Sequence, residues 1–228
     1  MFKARSVTIS IFWVVLSVQF IHAQDLSGYR EFQFGMNLPA IAKQAGLEPS
    51  AAKVIHKRPE LIQELTSQSP FSFSSSPQAD SVKTTLFSFY NGELSRIVIS
   101  YDPHKTKGLT AEDMVEAISV KDGTAIKTAA ETTISSSQVY NDNKVVIARW
   151  EDSQYSFTLF RSSYLPDFGM IALSKRLDAL AQAANIEAAR LDEQEAPQRE
   201  IERKKKQDEE NRAAQEGARS VNKPVFRP

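Results

Sequence analysis

The stretch Thr85–Asp102, TLFSFYNGELSRIVISYD, constrains the fold more than any other part of the chain. Two runs rich in β-branched and aromatic residues flank Asn91-Gly92. Asn-Gly tolerates positive φ at both central positions, which closes a two-residue hairpin. Leu86, Ser88 and Tyr90 alternate with Phe87 and Phe89, and Ile97, Ile99 and Tyr101 alternate with Val98 and Ser100. Both faces carry apolar residues, so the hairpin belongs in the middle of a sheet with at least one face under helices.

A second pair of runs follows the same logic. KVVIARW (144–150), a turn EDSQ and YSFTLFRSSY (155–164) predict another hairpin. Each hairpin is preceded by helical signals. Asn37 caps a short helix that has Pro39 in its first turn, apolar Leu38, Ile41, Ala42 and Ala45, and Gly46 as its stop. A further short helix is expected around Pro49–His56, then a strand at Leu61–Leu65. Residues 66–83, rich in serine with two prolines, read as a long loop with a strand at Phe71–Phe73. Thr110 caps the middle helix, with Asp113 three residues on in the capping-box position. Leu109, Met114, Val115 and Ile118 form its apolar stripe, and residues 124–138 read as a weak strand.

The expected fold class is therefore α+β. Two helix-plus-antiparallel-meander modules, 24–108 and 109–168, form a sheet with helices on one face. A final helix is expected over 169–213, its apolar stripe running Leu173, Leu177, Leu180, Ala184 and Leu191. From Glu187 to Ser220, 18 of 34 residues are charged, with the i,i+4 pairs Glu195–Arg199, Glu200–Lys204, Glu202–Lys206 and Asp208–Arg212. That pattern predicts a solvated helix, bent or broken near Pro197, and a disordered tail over 214–228.

The first residues speak to location. Lys3 and Arg5 precede the apolar run Ile9–Ile21, which ends at His22-Ala23 before Gln24-Asp25. A basic start, a short apolar run and a small residue describe a secretory signal peptide over 1–23, cut between Ala23 and Gln24. The run is shorter than the roughly 20 apolar residues of a membrane span. The expected product is soluble, in the periplasm or secreted. The chain has no cysteine. Disulfides, thiol catalysis, cysteine-bound zinc, iron–sulfur clusters and a lipid-modified cysteine are thereby excluded. With Lys3 and Arg5 removed, 26 basic residues face 28 acidic ones, so no basic field invites nucleic acid.

No catalytic set is legible. HExxH, the Walker phosphate loop, a dinucleotide fingerprint, GxSxG and an EF-hand loop are all missing. The serines Ser74–Ser76 lack a glycine-framed elbow, and the carboxylate pairs Glu112/Asp113 and Glu151/Asp152 suit a helix start and a turn. Asp102 and His104 could orient an imidazole or hold a metal, but such sites need three or four convergent ligands. Lys53, His56, Lys57 and Arg58 could meet an anion. No catalytic, cofactor or metal residue is assigned.

The aromatics gather on the two hairpins. If one sheet face were left uncovered, Tyr90, Tyr101, Trp150, Tyr155 and Phe157 would form a partner-binding surface. The expectation is a non-enzymatic exported binding or cell-envelope accessory protein. It would meet an envelope or extracellular protein through a sheet face and a charged helical tail. The alternatives are a hydrolase-like enzyme with a dispersed site near Asp102 and His104, and a scaffold that self-associates through its helix.

Phe34-Gly35-Met36 in FGMNLPAIAKQAG, its echo Phe168-Gly169-Met170, and GLTAEDMVEAIS resemble the helix entries of small outer-membrane assembly lipoproteins of the BamE/SmpA/OmlA type. Two such modules in tandem look like the beta-lactamase-inhibitor-protein architecture. That resemblance implies helices over one side of a curved sheet and a partner on the other. Those lipoproteins carry a lipid on a cysteine, which this chain lacks. The stretches YREFQFGMNLP, FSFYNGEL, GLTAEDM, ARWEDSQYSF and LDEQEAPQREIE are similar to a group of uncharacterised secreted bacterial proteins, which implies export and carries no known activity.

Overall fold

The computed structural model describes residues 25–68, 81–127, 133–134, 144–162, 167–225 and 227. The signal segment 1–23, with the cleavage residues Ala23 and Gln24, lies outside the described residues, as do Phe71–Phe73 and Tyr164. In chain order the elements are β1 (Gly28–Tyr29), β2 (Phe32–Gln33), α1 (Leu38–Gln44), β3 (Lys53–His56), β4 (Ile62–Gln68), β5 (Val82–Tyr90) and β6 (Glu93–Tyr101). Then come α2 (Ala111–Asp122), β7 (Ile126–Lys127), β8 (Thr133–Ile134), β9 (Lys144–Glu151), β10 (Tyr155–Ser162), β11 (Phe168–Ser174) and α3 (Lys175–Asn222).

The fold is α+β. One antiparallel sheet runs β3-β4-β5-β6-β11-β10-β9-β7, with β8 on the same edge of β9 as β7. Each half is a helix followed by a meander, and the last strands of the halves pair, from Gly169↔Ser100 to Leu173↔Arg96. The central hairpin turns as its residues demand, with Asn91 at φ 49° and Gly92 at φ 82°. Asn91 also ties the tip to the start of β4: its Oδ1 accepts from Leu61 N at 3.0 Å.

Register assigns the faces. Phe87 lies opposite Ile97, Ile97 opposite Ala172, Ala172 opposite Phe157, and Phe157 opposite Trp150. This face is the core. It packs with Leu26 and Phe32 from the N-terminal hairpin, Leu38, Ile41 and Ala42 of α1, and Met114 of α2. Phe32 meets Phe87 edge-on, with centroids 4.7 Å apart. The helices sit where their caps put them. Asn37 Oδ1 accepts from Ala40 N at 2.9 Å, and Thr110 and Asp113 form a reciprocal capping box. Trp150 Nε1 donates to the Gly123 carbonyl at the end of α2, at 3.0 Å.

On the opposite face α3 crosses the sheet. Leu177, Ala181, Ala184 and Ala188 form the buried stripe, and small alanines let the helix lie close. Ala181 and Ala184 pack with Ile62, Ile55 and Tyr90. Arg96 Nε meets Asp178 Oδ1 at 2.6 Å, and Gln182 holds the other carboxylate oxygen.

Several expectations need correction. Phe168–Ser174 is a strand, so the final helix begins at Lys175, not 169, and the second meander runs past 168. Gly169 explains it: a Cβ there would strike the Phe160 ring and sit 2.8 Å from the Ile99 carbonyl oxygen. That glycine lets a ring pass over a central strand and does not open a helix. Leu173 consequently belongs to β11, and Leu180 is 40% exposed. Pro49–Ala51 is a single 3-10 turn leading into β3, not a helix to His56. The last helix continues through Pro197 to Asn222, beyond the expected end at 213.

Candidate functional site

The aromatic residues proposed for partner binding do not form one surface. Trp150 and Phe157 are fully buried, and Tyr101 is 8% exposed. All three point into the face covered by α1, α2 and the N-terminal hairpin, so the expected open aromatic sheet face does not exist. The Tyr101 hydroxyl bonds to Tyr29, and burial holds its pKa well above the usual tyrosine range. Tyr90 lies on the other face, half-buried beside Ile62 under α3. Only Tyr155 reaches an opening.

The structure brings Asp102 to the backbone of His104 and not to its imidazole. Asp102 Oδ1 accepts the backbone N–H of His104 at 2.9 Å, a local Asx turn. The exposed imidazole has no hydrogen-bond partner among the described residues. No group of three or more histidine, aspartate or glutamate side chains among them is placed to hold a metal ion.

The basic cluster does meet an anion, but one supplied by this chain. Arg58 grips Glu195 of α3 with two bonds, at 3.1 and 2.8 Å. Arg199 bridges Glu195 and Asp192, so the pairs lock the helix where it leaves the edge strand β3. Hydrogen bonds from Arg58 and Arg199 hold the Glu195 carboxyl below its ordinary pKa. A shallow hollow of about 170 Å³ remains between Ile55–Arg58 and Leu191–Asp192. Sequence spacing could not reveal this contact, which joins residues 137 positions apart.

Beyond the clamp, α3 is an arm. From Ala196 to Asn222 every residue is exposed, including Ile201 at 60% and Val221 at 68%. The arm is stitched by Arg203 to Glu200, Lys204 to Glu200 and Lys206 to Glu210. Lys206 thus reaches forward to Glu210, where the sequence pattern had paired it with Glu202. At 1.5 Å per residue this exposed part projects about 40 Å.

A cleft of about 340 Å³ opens at the end of the sheet where β11 becomes α3. Three segments build it. Phe34 and Gly35 come from the lead-in to α1, Ser153 to Tyr155 from the β9–β10 turn, and Ser174, Arg176 and Leu177 from the start of α3. Gly35 has φ 84°, and its N–H donates to the Leu94 carbonyl, which sets Phe34 at the rim. Phe34 stacks on Tyr155, centroids 5.5 Å apart and rings 18° from parallel. Asp152 Oδ1 accepts the N–H groups of Gln154 and Tyr155, and Lys175 N donates to the Gln154 carbonyl. These bonds fasten the turn to the helix start. Lys175 Nζ is occupied by Glu151 at 3.1 Å and by the Asp152 carbonyl.

Comparison with protein-family models, with curated proteins and with solved structures finds no match to this chain. The resemblances drawn from its motifs therefore rest on the sequence alone. The echo between Phe34-Gly35-Met36 and Phe168-Gly169-Met170 is not structural: the first leads into a helix through a positive-φ glycine, and the second lies inside a strand.

Proposed function

We propose that this chain is an exported, non-enzymatic binding protein of the cell envelope, cut between Ala23 and Gln24 and released to the periplasm or beyond, whose sheet domain presents α3 to a protein partner. One observation carries the reading. A helix of 48 residues is clamped to the domain by its first turns and by Arg58–Glu195, and every residue from Ala196 to Asn222 is exposed. A helix that long, polar all round, suits spanning a gap or contacting a partner.

The test is photocrosslinking in intact cells. A benzoylphenylalanine at Ile201 or Glu209 should give a discrete adduct, and one at Lys83 on the domain should not. The exported protein should begin at Gln24 by mass. Absence of adducts from both arm positions, or retention of the full-length chain in the cytoplasm, would end the proposal.

Self-association is the second reading, and one pattern favours it. Arg203–Lys206 precede Asp208–Glu210, an order complementary to itself when two helices run antiparallel about Gln207.

A further inference from the structure

The cleft between Phe34, Tyr155 and the start of α3 holds donors with nothing to bind. Ser174 occupies the N-cap position of a 48-residue helix, yet its hydroxyl takes no bond from the first turn. That residue is only 8% exposed, and its hydroxyl has no partner among the described residues. Ser174 lies opposite Tyr155 in the sheet register, on the same face, and lines the cleft with it. The residue is held nine-tenths buried while its oxygen stays open to the cleft, so the hydroxyl is free to donate to an acceptor placed there. Lys175 N–H is given to the Gln154 carbonyl, but the next amides of a first helical turn lack partners inside the helix, and the helix dipole favours negative charge there.

Charge accounting around the cleft points the same way. Lys175 is paired with Glu151, Arg96 with Asp178, and Arg58 with Glu195. Arg176, on the cleft wall, has no ion pair among the described residues. Asp178, the acid of the first turn, is engaged by Arg96 and Gln182 on the other side of the sheet. No carboxylate lines the cleft. The apolar part of the wall is the Phe34–Tyr155 stack with Leu177, and the Tyr155 phenol has no bond among the described residues.

We propose that this cleft binds an aromatic carboxylate: a planar ring lies against Phe34 and Tyr155 while the carboxylate takes bonds from Ser174, the first turn of α3 and Arg176. The volume suits a ligand of that size, at the small end of ordinary sites. A free aromatic acid and the C-terminal phenylalanine of a peptide share this chemistry.

The experiment is a titration of the chain from Gln24 to Pro228, followed by amide chemical shifts. The probes are N-acetylphenylalanine, its carboxamide, N-acetylalanine, inorganic phosphate and the peptide Ala-Ala-Phe. N-acetylphenylalanine should shift residues 34–35, 153–155 and 174–177. The carboxamide should bind at least about tenfold more weakly, because it loses the charge-assisted bonds. N-acetylalanine should also be weaker. Ala-Ala-Phe binding as well as the acetylated amino acid would assign a peptide end; weaker binding would assign a free acid. Ser174→Ala and exposed Arg176→Gln should each weaken N-acetylphenylalanine about tenfold without moving the melting temperature. Equal affinity for the carboxamide, equal affinity for phosphate alone, or shifts outside the three segments would overturn the proposal. The arm's partner does not enter this test, so the two readings fail independently.

Discussion

Individual residues decide how closely this sheet can pack. Gly169 sits opposite Phe160, and the ring occupies the space a side chain would need. Gly169→Ala should cost about 1–3 kcal/mol, the usual penalty for overpacking. In a Phe160→Leu background the same change should cost less, though not nothing, because the Ile99 carbonyl still lies 2.8 Å from the added carbon. Urea midpoints of the four proteins measure the coupling; equal costs in both backgrounds would disprove it. Glu64, on β4, tests the electrostatics of the other face. Burial raises its pKa above 4.5, against the pull of Lys53 and Arg96. A carboxyl whose folded pKa is raised prefers to be protonated in the native state. Its penalty is absent below the unfolded pKa and complete above the folded one. Glu64→Gln should therefore be more stable than the parent at pH 7, by less than about 1 kcal/mol because the group is partly solvated. The advantage should vanish as the pH falls below 4. A variant less stable at pH 7 would show that the ion pairs outweigh the burial.

Elements are held to one another by a few specific contacts, and Arg96–Asp178 is the main polar one beneath α3. Asp178→Ala should destabilise the domain by about 1–3 kcal/mol, because Arg96 is left in a partly dry site without its carboxylate. Arg96→Met together with Asp178→Leu should lose less than the single change, since apolar groups of similar bulk remove the desolvation cost of both charges. A double variant as unstable as the single one would indicate that the pair positions α3 and does more than fill space. Such contacts also separate what was legible in the sequence from what was not. Asn91-Gly92, Asn37 and the Thr110–Asp113 box are signals written within four residues, and each forms as expected. Phe168–Ser174 failed because a run apolar on both faces reads equally as a buried strand or a helix. What decides it is the slot between β6 and β10, which only the folded sheet provides. The fate of Trp150 and Phe157 failed likewise, since alternation tells which residues share a face but not what covers that face. Of the cleft, Tyr155 was legible as a binding residue, and Phe34-Gly35 only as a helix entry. Phe34, Ser174 and Arg176 meet it from segments far apart in the chain.

At the scale of the whole molecule the question is whether the arm serves a partner or a second copy of itself. Antiparallel pairing about Gln207 would set Lys206 against Asp208, Lys205 against Glu209, Lys204 against Glu210 and Glu202 against Arg212, each occurring twice by symmetry. Exposed ion pairs yield a few tenths of a kcal/mol each, so the set supplies about 4 kcal/mol at best. Two helices must also surrender their independent motion, which costs about 4–15 kcal/mol. The deficit would have to come from an apolar seam. The arm has Ile201 facing Ala213 in that register and nothing comparable across the remaining turns. Lys204 and Lys206 would moreover give up their pairings with Glu200 and Glu210. The chain from Gln24 should therefore sediment as a monomer at micromolar concentration and physiological salt, with or without residues 200–228. That truncation keeps the Arg58–Glu195 clamp and should leave the free energy of unfolding in urea unchanged to within about 0.5 kcal/mol, since the described residues it removes are exposed. A dimer that dissolves in 1 M salt, where screening reaches about 3 Å, and is lost on truncation would reverse the order of the two readings. A monomer under both conditions leaves the arm's charges free for a different protein.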